Sequence, residues 1–401
     1  MGCVVYPVLM LSDRSVVAVA RCPSYEPESV AVAVRTVLEL SGLLDRLKAC
    51  RKILLKPNLL SPRIPEDAVT THPSVVEAVG VTVARFSSEI LIGDSPPFAG
   101  ENPSRYATLL QKTGMSDVAH RLGAKVVRFE DQVVQVVNPA SKLYRSFEVG
   151  SVVREVDVIV NIAKLKNHAL TRITGAVKNL FGCVPGIRKG LFHVRAADDR
   201  EVFAQMLVDL AASIGNTIHV MDAVIAMEGE GPSAGQPRQV GIILASADPI
   251  ALDAVASTIV GFEPMSVDTT RLGDAQGLGC GRLDSIEVVG ANIDELRVSG
   301  WLPSSGTNDW TRIPAPLRKL LKRQLLAVPV FRRDRCIGCG DCVQICAAKA
   351  LTVGRPPTLD AARCIRCYCC HEICSSRAID LRYGTLARLL GIHRLMLHTG
   401  Q

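Results

Sequence analysis

The sequence predicts an α/β fold in which a largely parallel N-terminal sheet is covered by helices, followed by a small C-terminal α+β domain. Residues 1–300 alternate short apolar runs with longer amphipathic stretches, as strands and helices that follow one another do. Several runs are apolar on both faces, which suits parallel strands buried between two helical layers. The C-terminal part instead concentrates cysteines between Cys336 and Cys374. With 48% apolar and 21% charged residues, the 401-residue chain can build both cores.

Seven short apolar runs are predicted strands, and four longer stretches are predicted helices. The predicted strands are Val16–Ala20, Ile53–Lys56, Ile90–Gly93, Val156–Ala163, Ile218–Asp222, Val240–Ser246 and Ile286–Val289. The predicted helices cover 28–48, 74–86, 200–214 and 249–260. Pro73 and Pro249 suit the first turn of their helices, and Asp248 is the expected N-cap of the last one.

Changes in composition divide the chain into four predicted parts. Residues 1–300 form the α/β domain and hold 30 basic and 33 acidic side chains, a net charge of −3. Residues 301–327 form a basic connector, whose charges are either a solvated helix face or a docking surface for an acidic partner. A cysteine-rich domain over 328–383 and a C-terminal helical tail over 384–401 complete the chain.

The overall charge and composition exclude several classes of protein. The net charge of +7 comes from the connector and the cysteine-rich part, while aromatic residues make up only 4% of the chain. We therefore expect no nucleic-acid partner, because base-stacking surfaces need interleaved aromatic side chains. No apolar run is long enough to span a membrane, and no signal-peptide pattern is seen. Fourteen cysteines without an export signal indicate metal binding in a reducing compartment, so the predicted location is cytoplasmic.

Two copies of one cysteine motif predict two [4Fe–4S] clusters in a ferredoxin-like domain. Each copy has the spacing CxxCxxCxxxC, in which the fourth cysteine binds the cluster of the other motif. Ala347 and Ser375 stand where proline commonly follows the fourth cysteine, and Cys369 breaks the register and is not an expected ligand. A pair of zinc sites is the alternative interpretation. The predicted ligands are Cys336, Cys339, Cys342 and Cys374 for cluster one and Cys364, Cys367, Cys370 and Cys346 for cluster two.

Polar residues directly follow the predicted strands, where ligands bind in open α/β sheets. The densest segment is 164–190, in which a Gly-rich turn precedes a short helix whose N–H groups could bind a phosphate or carboxylate. Capping of helices by Asp and Asn, and plain solvation of lysines, are the alternatives. The predicted substrate-binding residues are Asn58, Lys164, Lys166, Lys178 and Asn179. The predicted catalytic residues are His168, Asp94 and Glu228, the last two as a base or as Mg²⁺ ligands.

Six short motifs stand out along the predicted α/β domain: Ile53–Leu59, Thr70–Pro73, Gly93–Ser95, Lys164–His168, Thr174–Gly182 and Met227–Pro232. Together they resemble the family known as domain of unknown function 362, which often occurs fused to a two-cluster ferredoxin domain. The resemblance covers about residues 50–300 and, with the cysteine motifs, most of the chain. It implies the same site residues and no particular reaction. The start of the domain is also similar to that of lactate-racemase-like proteins, at the level of fold alone.

These observations favour an iron–sulfur oxidoreductase that moves electrons between its two clusters and an anionic small molecule. In this hypothesis the lysines bind the anion and His168 donates a proton, while Asn58, Asp94 and Asn179 orient the substrate. A redox partner protein, either an acidic ferredoxin or a reductase, would supply or remove the electrons. Two other functions stay open: an electron-carrier or assembly subunit without a substrate, and a non-redox isomerase or racemase with structural clusters.

Overall fold

The structure is a computed structural model that describes residues 14–97, 102–186, 188–196, 199–304 and 327–382. Most of the predicted basic connector and the predicted C-terminal helical tail lie outside the described residues. Cys3 also lies outside them. The predicted α/β and ferredoxin-like domains are both described over nearly their whole length.

Fifteen strands and thirteen α-helices are described within these ranges. The strands are β1 Ser15–Arg21, β2 Lys52–Pro57, β3 Glu89–Ile92, β4 Lys125–Val126, β5 Val133–Val137, β6 Ser146–Gly150, β7 Val158–His168, β8 Arg172–Thr174, β9 Thr217–Glu228, β10 Gln236–Ser246, β11 Ile286–Gly290, β12 Val328–Phe331, β13 Leu351–Thr352, β14 Thr358–Leu359 and β15 Ile379–Arg382. The helices are α1 Pro27–Leu40, α2 Leu43–Lys48, α3 Pro73–Val83, α4 Pro103–Lys112, α5 Met115–Leu122, α6 Val152–Glu155, α7 Ala176–Asn179, α8 Arg188–Ala196, α9 Arg200–Ile214, α10 Pro249–Ile259, α11 Asp268–Gln276, α12 Asp341–Gln344 and α13 Cys369–Ile373.

The predicted α/β fold, with a mostly parallel sheet covered by helices, is confirmed. The central sheet has the strand order β11-β1-β10-β9-β7-β2-β3-β4, and β8 pairs with the end of β7. The neighbours β9, β7, β2, β3 and β4 run parallel, as do β1 and β11. Strand β10 is antiparallel to both of its neighbours. Because β2, β3 and β7 run parallel, their carboxyl ends meet at one edge of the sheet, where the predicted site residues follow them.

Local signals account for the helix boundaries. Helix α10 begins with Pro249, and the Asp248 carboxylate accepts hydrogen bonds from the next two free N–H groups, as predicted for an N-cap. The predicted helix over 28–48 is two helices, because Gly42 adopts a left-handed conformation (φ 67°) between them. The pattern of apolar residues alone did not reveal that break.

Strand β7 is longer than predicted, and this correction matters for the site. The apolar run ends at Ala163, but the strand continues to His168 with every residue buried. Lysine, asparagine and histidine side chains are tolerated in this buried strand because they have polar partners inside the protein. The lysines at 164 and 166 are therefore strand residues in the interior, not solvated loop residues.

The cysteine-rich domain has the expected small α+β fold. Strand β12 pairs with β15 and β13 with β14, and the short helices α12 and α13 each lie within one cysteine motif. Polar contacts hold the domain against the α/β domain. Arg377 pairs with Asp67 at 3.1 Å, Arg105 pairs with Asp341 at 3.1 Å, and Arg63 donates to the carbonyl oxygen of Cys374 at 3.3 Å.

Candidate active site between the two domains

A cavity of about 70 Å³ lies where the carboxyl ends of β2, β3 and β7 face the cysteine-rich domain. Its wall on the cysteine-rich side is formed by Ile345, Cys369, Glu372 and Ile373. The cavity is therefore built by both domains, and its second wall comes from residues next to predicted cluster ligands. Six of the eight predicted site residues line it: Asn58, Asp94, Lys166, His168, Lys178 and Asn179.

Lys178 supplies an unpaired positive charge to the cavity. Among the described residues its Nζ has no hydrogen bond or ion pair, and its contacts are with aromatic faces, 5.0 Å from the centre of the Phe181 ring and 5.9 Å from that of Phe203. Burial lowers its pKa, an effect that the nearby Glu372 opposes. A lysine held in this way can pair with an anion without first breaking another bond.

Lys166 is the second cation and is fully buried. Its Nζ donates to Asn58 Oδ1 at 2.8 Å and to the carbonyl oxygen of Val69 at 2.6 Å. Burial, followed by repulsion from Lys178, lowers its pKa to about 7. The Asn58 amide in turn donates to Asn179 Oδ1 at 3.0 Å, so a chain of hydrogen bonds orients these polar groups toward the cavity.

His168 faces the cavity as a neutral imidazole. Its Nδ1 lies 3.1 Å from the N–H of Leu170 and 3.3 Å from that of Thr171, and accepts from both. The ring proton is therefore on Nε2. This atom lies 3.1 Å from Glu372 Oε1, but the two atoms are not aligned for a hydrogen bond. Burial lowers the pKa of His168 as well. This geometry makes His168 a hydrogen-bond donor to a ligand, because protonating Nδ1 would break both backbone contacts.

Asp94 lies in the cavity wall in a buried ion pair. Its Oδ1 is 2.8 Å from Lys56 Nζ, and its Oδ2 accepts from the N–H of Leu59 at 2.9 Å. A Cβ atom at position 182 would lie 2.0 Å from Asp94 Oδ1, so only glycine leaves room there for the Asp94–Lys56 ion pair. Because its charge is already neutralised, Asp94 is better placed to hold the wall in shape than to act as a free base.

Helix α8 brings two basic residues that were not predicted, Lys189 and His193, to the cavity. The Nζ of Lys189 donates to the carbonyl oxygen of Ser95 and, at 3.1 Å, to its Oγ, while burial lowers its pKa to about 8. His193 stacks on Phe203 with 4.5 Å between ring centres, and burial lowers its pKa to about 3. The two residues are four positions apart and so share one helix face, which is the signal that could have identified them.

The predicted anion site at the start of α7 is wrong, because the protein supplies its own anion there. The Asp253 carboxylate accepts from the N–H groups of Ala176 at 2.6 Å and Val177 at 3.2 Å. Burial raises the pKa of Asp253 to about 7. A Cβ at Gly175 would lie 2.1 Å from this carboxylate, so the glycine serves an internal contact and not a ligand.

Lys164 and Glu228 lie outside the cavity. Lys164 Nζ donates hydrogen bonds to Asp222 Oδ2 at 2.8 Å and to the Tyr25 hydroxyl at 2.7 Å. These three side chains are therefore hydrogen-bonded to one another. Glu228 accepts from the N–H of Leu302 at 3.2 Å and thereby holds the segment that follows the α/β domain. The structure does not bring either residue together with the other six.

Predicted cluster ligands from the two cysteine motifs lie close to one another. Burial, and then the charges of Cys339, Cys374 and Cys336, raise the pKa of the Cys342 thiol to about 11, which shows that these four side chains are neighbours. Burial also raises the pKa of Cys364, with contributions from the charges of Cys367 and Cys346.

The fourth cysteines of the two motifs are held alike, since the N–H groups of Ala350 and Ala378 donate to Cys346 and Cys374 Sγ, each at 3.1 Å. Within the described ranges, no three Cys, His, Asp or Glu side chains are arranged to hold a single metal ion.

Comparison with known proteins identifies the family. The profile of the family named Domain of unknown function (DUF362) matches residues 53–258, slightly more than half of the chain. The chain belongs to this family. A profile named 4Fe-4S binding domain matches residues 328–351, which contain the first cysteine motif, so this DUF362 member is an iron–sulfur protein.

The chain is similar to one curated protein and one solved structure. It is 35% identical over 268 residues to a thylakoid-associated protein of Synechocystis sp., a match that covers 65% of this chain and 79% of that protein. The structure of the lactate racemase apoprotein from Thermoanaerobacterium thermosaccharolyticum gives a TM-score of 0.39 at 10% identity. That match covers 58% of this chain and spans only 54% of the racemase.

Among the described residues, no helix has the length and apolar character needed to cross a membrane. The cytoplasmic location and the absence of a nucleic-acid partner stay predictions.

Proposed function

We propose that this DUF362 protein is an oxidoreductase that exchanges electrons between two [4Fe–4S] clusters and a small anionic molecule bound in the cavity between its domains. One observation supports the proposal above all others. The cavity that contains the unpaired Lys178 is closed by Cys369 and Glu372, which lie beside the predicted ligands Cys370 and Cys374. A ligand there would touch the segment that holds the clusters.

The charges of the cavity favour an anionic ligand. Lys166, Lys178 and Lys189 contribute three lysine amino groups whose pKa values are lowered by burial, whereas Glu372 is the acid that faces them without a lysine of its own, since Asp94 is paired with Lys56. Buried ammonium groups are costly unless an anion neutralises them, so binding of an anion would relieve that cost. The small volume suits a compact carboxylate or phosphate.

The residues of the chain would divide the work as follows. Lys178 pairs with the anion, and Lys166 and Lys189 hold further oxygen atoms by charge-assisted hydrogen bonds. The Nε2–H of His168 donates to the reacting oxygen as negative charge develops on it. Asn58 and Asn179 keep Lys166 in place. The clusters, held by the eight motif cysteines, supply one-electron transfer.

The proposal is tested on anaerobically reconstituted protein. A thermal-shift screen with acetate, inorganic phosphate and a panel of small carboxylates and phosphate esters should give an anion that raises the melting temperature. A ligand present at 100 times its dissociation constant adds about 2.7 kcal/mol to stability. The same compound should speed the reoxidation of dithionite-reduced clusters, or reduce oxidised ones, and Lys178→Met should weaken both effects at a fixed ligand concentration.

The screen also separates the alternatives. Binding without any change in cluster oxidation state would favour a non-redox reaction. If no anion binds while an acidic ferredoxin exchanges electrons with the clusters, the protein is a carrier without a substrate of its own.

A further inference from the structure

Three buried polar atoms of residues that line the cavity have no aligned hydrogen bond within the described structure. They are His168 Nε2, Thr174 Oγ1 and Glu372 Oε1. His168 is 1% exposed, Thr174 is 4% exposed and Glu372 is 9% exposed. Buried polar groups are paired in nearly all folded proteins, so three such atoms around one cavity indicate a site that is built to bind a ligand.

The strand pair β7–β8 turns two of these groups toward the cavity. Thr174 of β8 lies directly opposite Lys166 of β7, so their side chains project from the same face of the pair. His168 lies two residues beyond Lys166, and alternate residues of a strand share one face. The Thr174 hydroxyl is therefore on the Lys166 side of the cavity, where the proposed function places the charged group of the anion.

His168 and Glu372 together select a second group on the ligand. Nε2 of His168 carries a proton, because Nδ1 accepts from two backbone N–H groups. Glu372 Oε1 is an acceptor that lies 3.1 Å from this nitrogen without forming an aligned bond to it. One ligand oxygen can lie within hydrogen-bond distance of both atoms if it accepts from the first and donates to the second. A hydroxyl group does this, whereas a carbonyl oxygen cannot donate and an ammonium group cannot accept.

Much of the remaining cavity wall is apolar, and the space is small. The apolar side chains include Leu60, Phe181, Ile345 and Ile373. They suit a ligand with a carbon atom between its charged group and its hydroxyl better than an ion covered by oxygen atoms, such as hydrogen phosphate. The volume of about 70 Å³ holds roughly five to seven water-sized groups. This is about the size of a carboxylate with two or three carbon atoms and one hydroxyl group.

We propose that the ligand of the cavity is a small hydroxycarboxylate. Its carboxylate pairs with Lys178 and is held by Lys166 and the Thr174 hydroxyl. Its hydroxyl group accepts from His168 Nε2 and donates to Glu372 Oε1. This inference rests on the proposed function for the anion site, and it adds binding roles for Thr174 and Glu372 and the chemical class of the ligand.

Matched ligands test the hydroxyl group without any change to the protein. Glycolate and acetate differ by one hydroxyl group, and glycine has an ammonium group in its place. In calorimetric titrations of the anaerobically reconstituted holoprotein, glycolate should bind at least about tenfold more tightly than acetate or glycine. Acetate that binds as tightly as glycolate would overturn the inference, because the hydroxyl would then have no partner. Inorganic phosphate that binds more tightly than glycolate would overturn the choice of a carboxylate.

Two variants test the roles of the side chains, with iron content measured for each. Glu372→Met should lower the ratio of glycolate to acetate affinity about tenfold. The ratio is the measure because loss of the Glu372 charge favours both anions alike. Thr174→Val should weaken both ligands about tenfold and leave the ratio unchanged. Thr270→Val is the matched control, since its hydroxyl is also buried and has no partner in the described structure but does not line the cavity.

The outcomes separate this inference from the proposed function. If no anion binds to the wild-type holoprotein, the proposed function is wrong. If glycolate and acetate bind equally well, only the hydroxycarboxylate is wrong. An unchanged ratio in Glu372→Met with full iron content would overturn the contact with Glu372, and equal weakening by Thr174→Val and Thr270→Val would overturn that with Thr174. The comparison of ligands on the wild-type protein decides the class of ligand even where a variant does not fold.

Discussion

Lys178 and Lys164 form a natural pair for testing whether the cavity binds anions. The two lysines come from the same motif-rich segment, but only Lys178 lacks an acidic partner in the described structure. Changing each to methionine keeps the length and apolar bulk of the side chain while removing the charge. Lys178→Met should therefore weaken ligand binding and leave folding nearly unchanged, whereas Lys164→Met should lower stability and leave ligand binding nearly unchanged.

The expected magnitudes follow from the contacts. Lys178→Met breaks no hydrogen bond or ion pair of the described structure and removes only the attraction between Lys178 and Glu372, so the stability of the free protein should change by no more than about 1 kcal/mol. It should weaken binding of the anion by about 1.5–3 kcal/mol, the range for a hydrogen bond to a charged group, or roughly 10- to 100-fold in Kd. Lys164→Met removes the partner of a buried carboxylate at 2.8 Å and should cost about 3 kcal/mol of folding free energy.

The assay combines calorimetric titration of the anion found in the screen with thermal unfolding and iron analysis of each variant. Lys164→Met should lower the apparent melting temperature by about 6 °C or more, while the remaining folded protein binds the anion with an affinity close to that of wild type. The reasoning would be refuted if Lys178→Met bound the anion as tightly as wild type. It would also be refuted if Lys164→Met lost binding without losing stability, because the anion would then lie at the Lys164 cluster.

Three further predictions concern the clusters, the cavity wall and pH. The holoprotein should contain about eight iron atoms per chain. Cys374→Ser should damage the cluster of the first motif, as judged by iron content and electron paramagnetic resonance, whereas Cys369→Ser should retain all the iron. Selective loss of the cluster at the second motif in Cys374→Ser would contradict cross-ligation. Gly182→Ala should destabilise the protein by about 1–3 kcal/mol in denaturant unfolding, since the added Cβ would meet Asp94 Oδ1 at 2.0 Å, and an unchanged midpoint would show that the ion pair can shift. Anion affinity should fall as pH rises from about 7 to 8.5, because Lys166, with a pKa of about 7, loses the charge that attracts the anion. Anion binding should therefore take up protons over this range, and titrations in buffers of different ionisation enthalpy measure that uptake. A pH-independent Kd would refute the prediction.

Much of the fold was predictable because apolar periodicity reports burial directly. The predicted helix over 200–214 coincides with α9, and each of the seven predicted strands overlaps a strand of the central sheet. The hairpin of β5 and β6 was missed, since Val133–Val137 alternates weakly and is mostly exposed. The strand order depends on contacts between distant segments, which local periodicity does not record.

The site was predictable to the extent that polar residues follow strand ends. The rule selected Asn58 and Lys178 from segments more than a hundred residues apart, and both residues line the cavity. It could not tell Lys178 from Lys164, because the acid that neutralises Lys164 lies on another strand. The rule also did not predict that the Asp253 carboxylate binds the N–H groups at the start of α7, where the Gly-rich turn suggested a ligand site. In each case a buried charge was satisfied by a residue distant in sequence.

Under the proposed function, the shared wall of the cavity would make anion binding depend on the clusters. Ile345, Cys369, Glu372 and Ile373 lie within a small domain with few buried apolar residues, and such domains depend on their metal for folding. Loss of the clusters would release these four side chains, and the cavity would lose one of its walls. A chain without iron would then not bind the anion. Binding at a site that contains no iron ligand would thus depend on whether the molecule holds the groups that carry electrons.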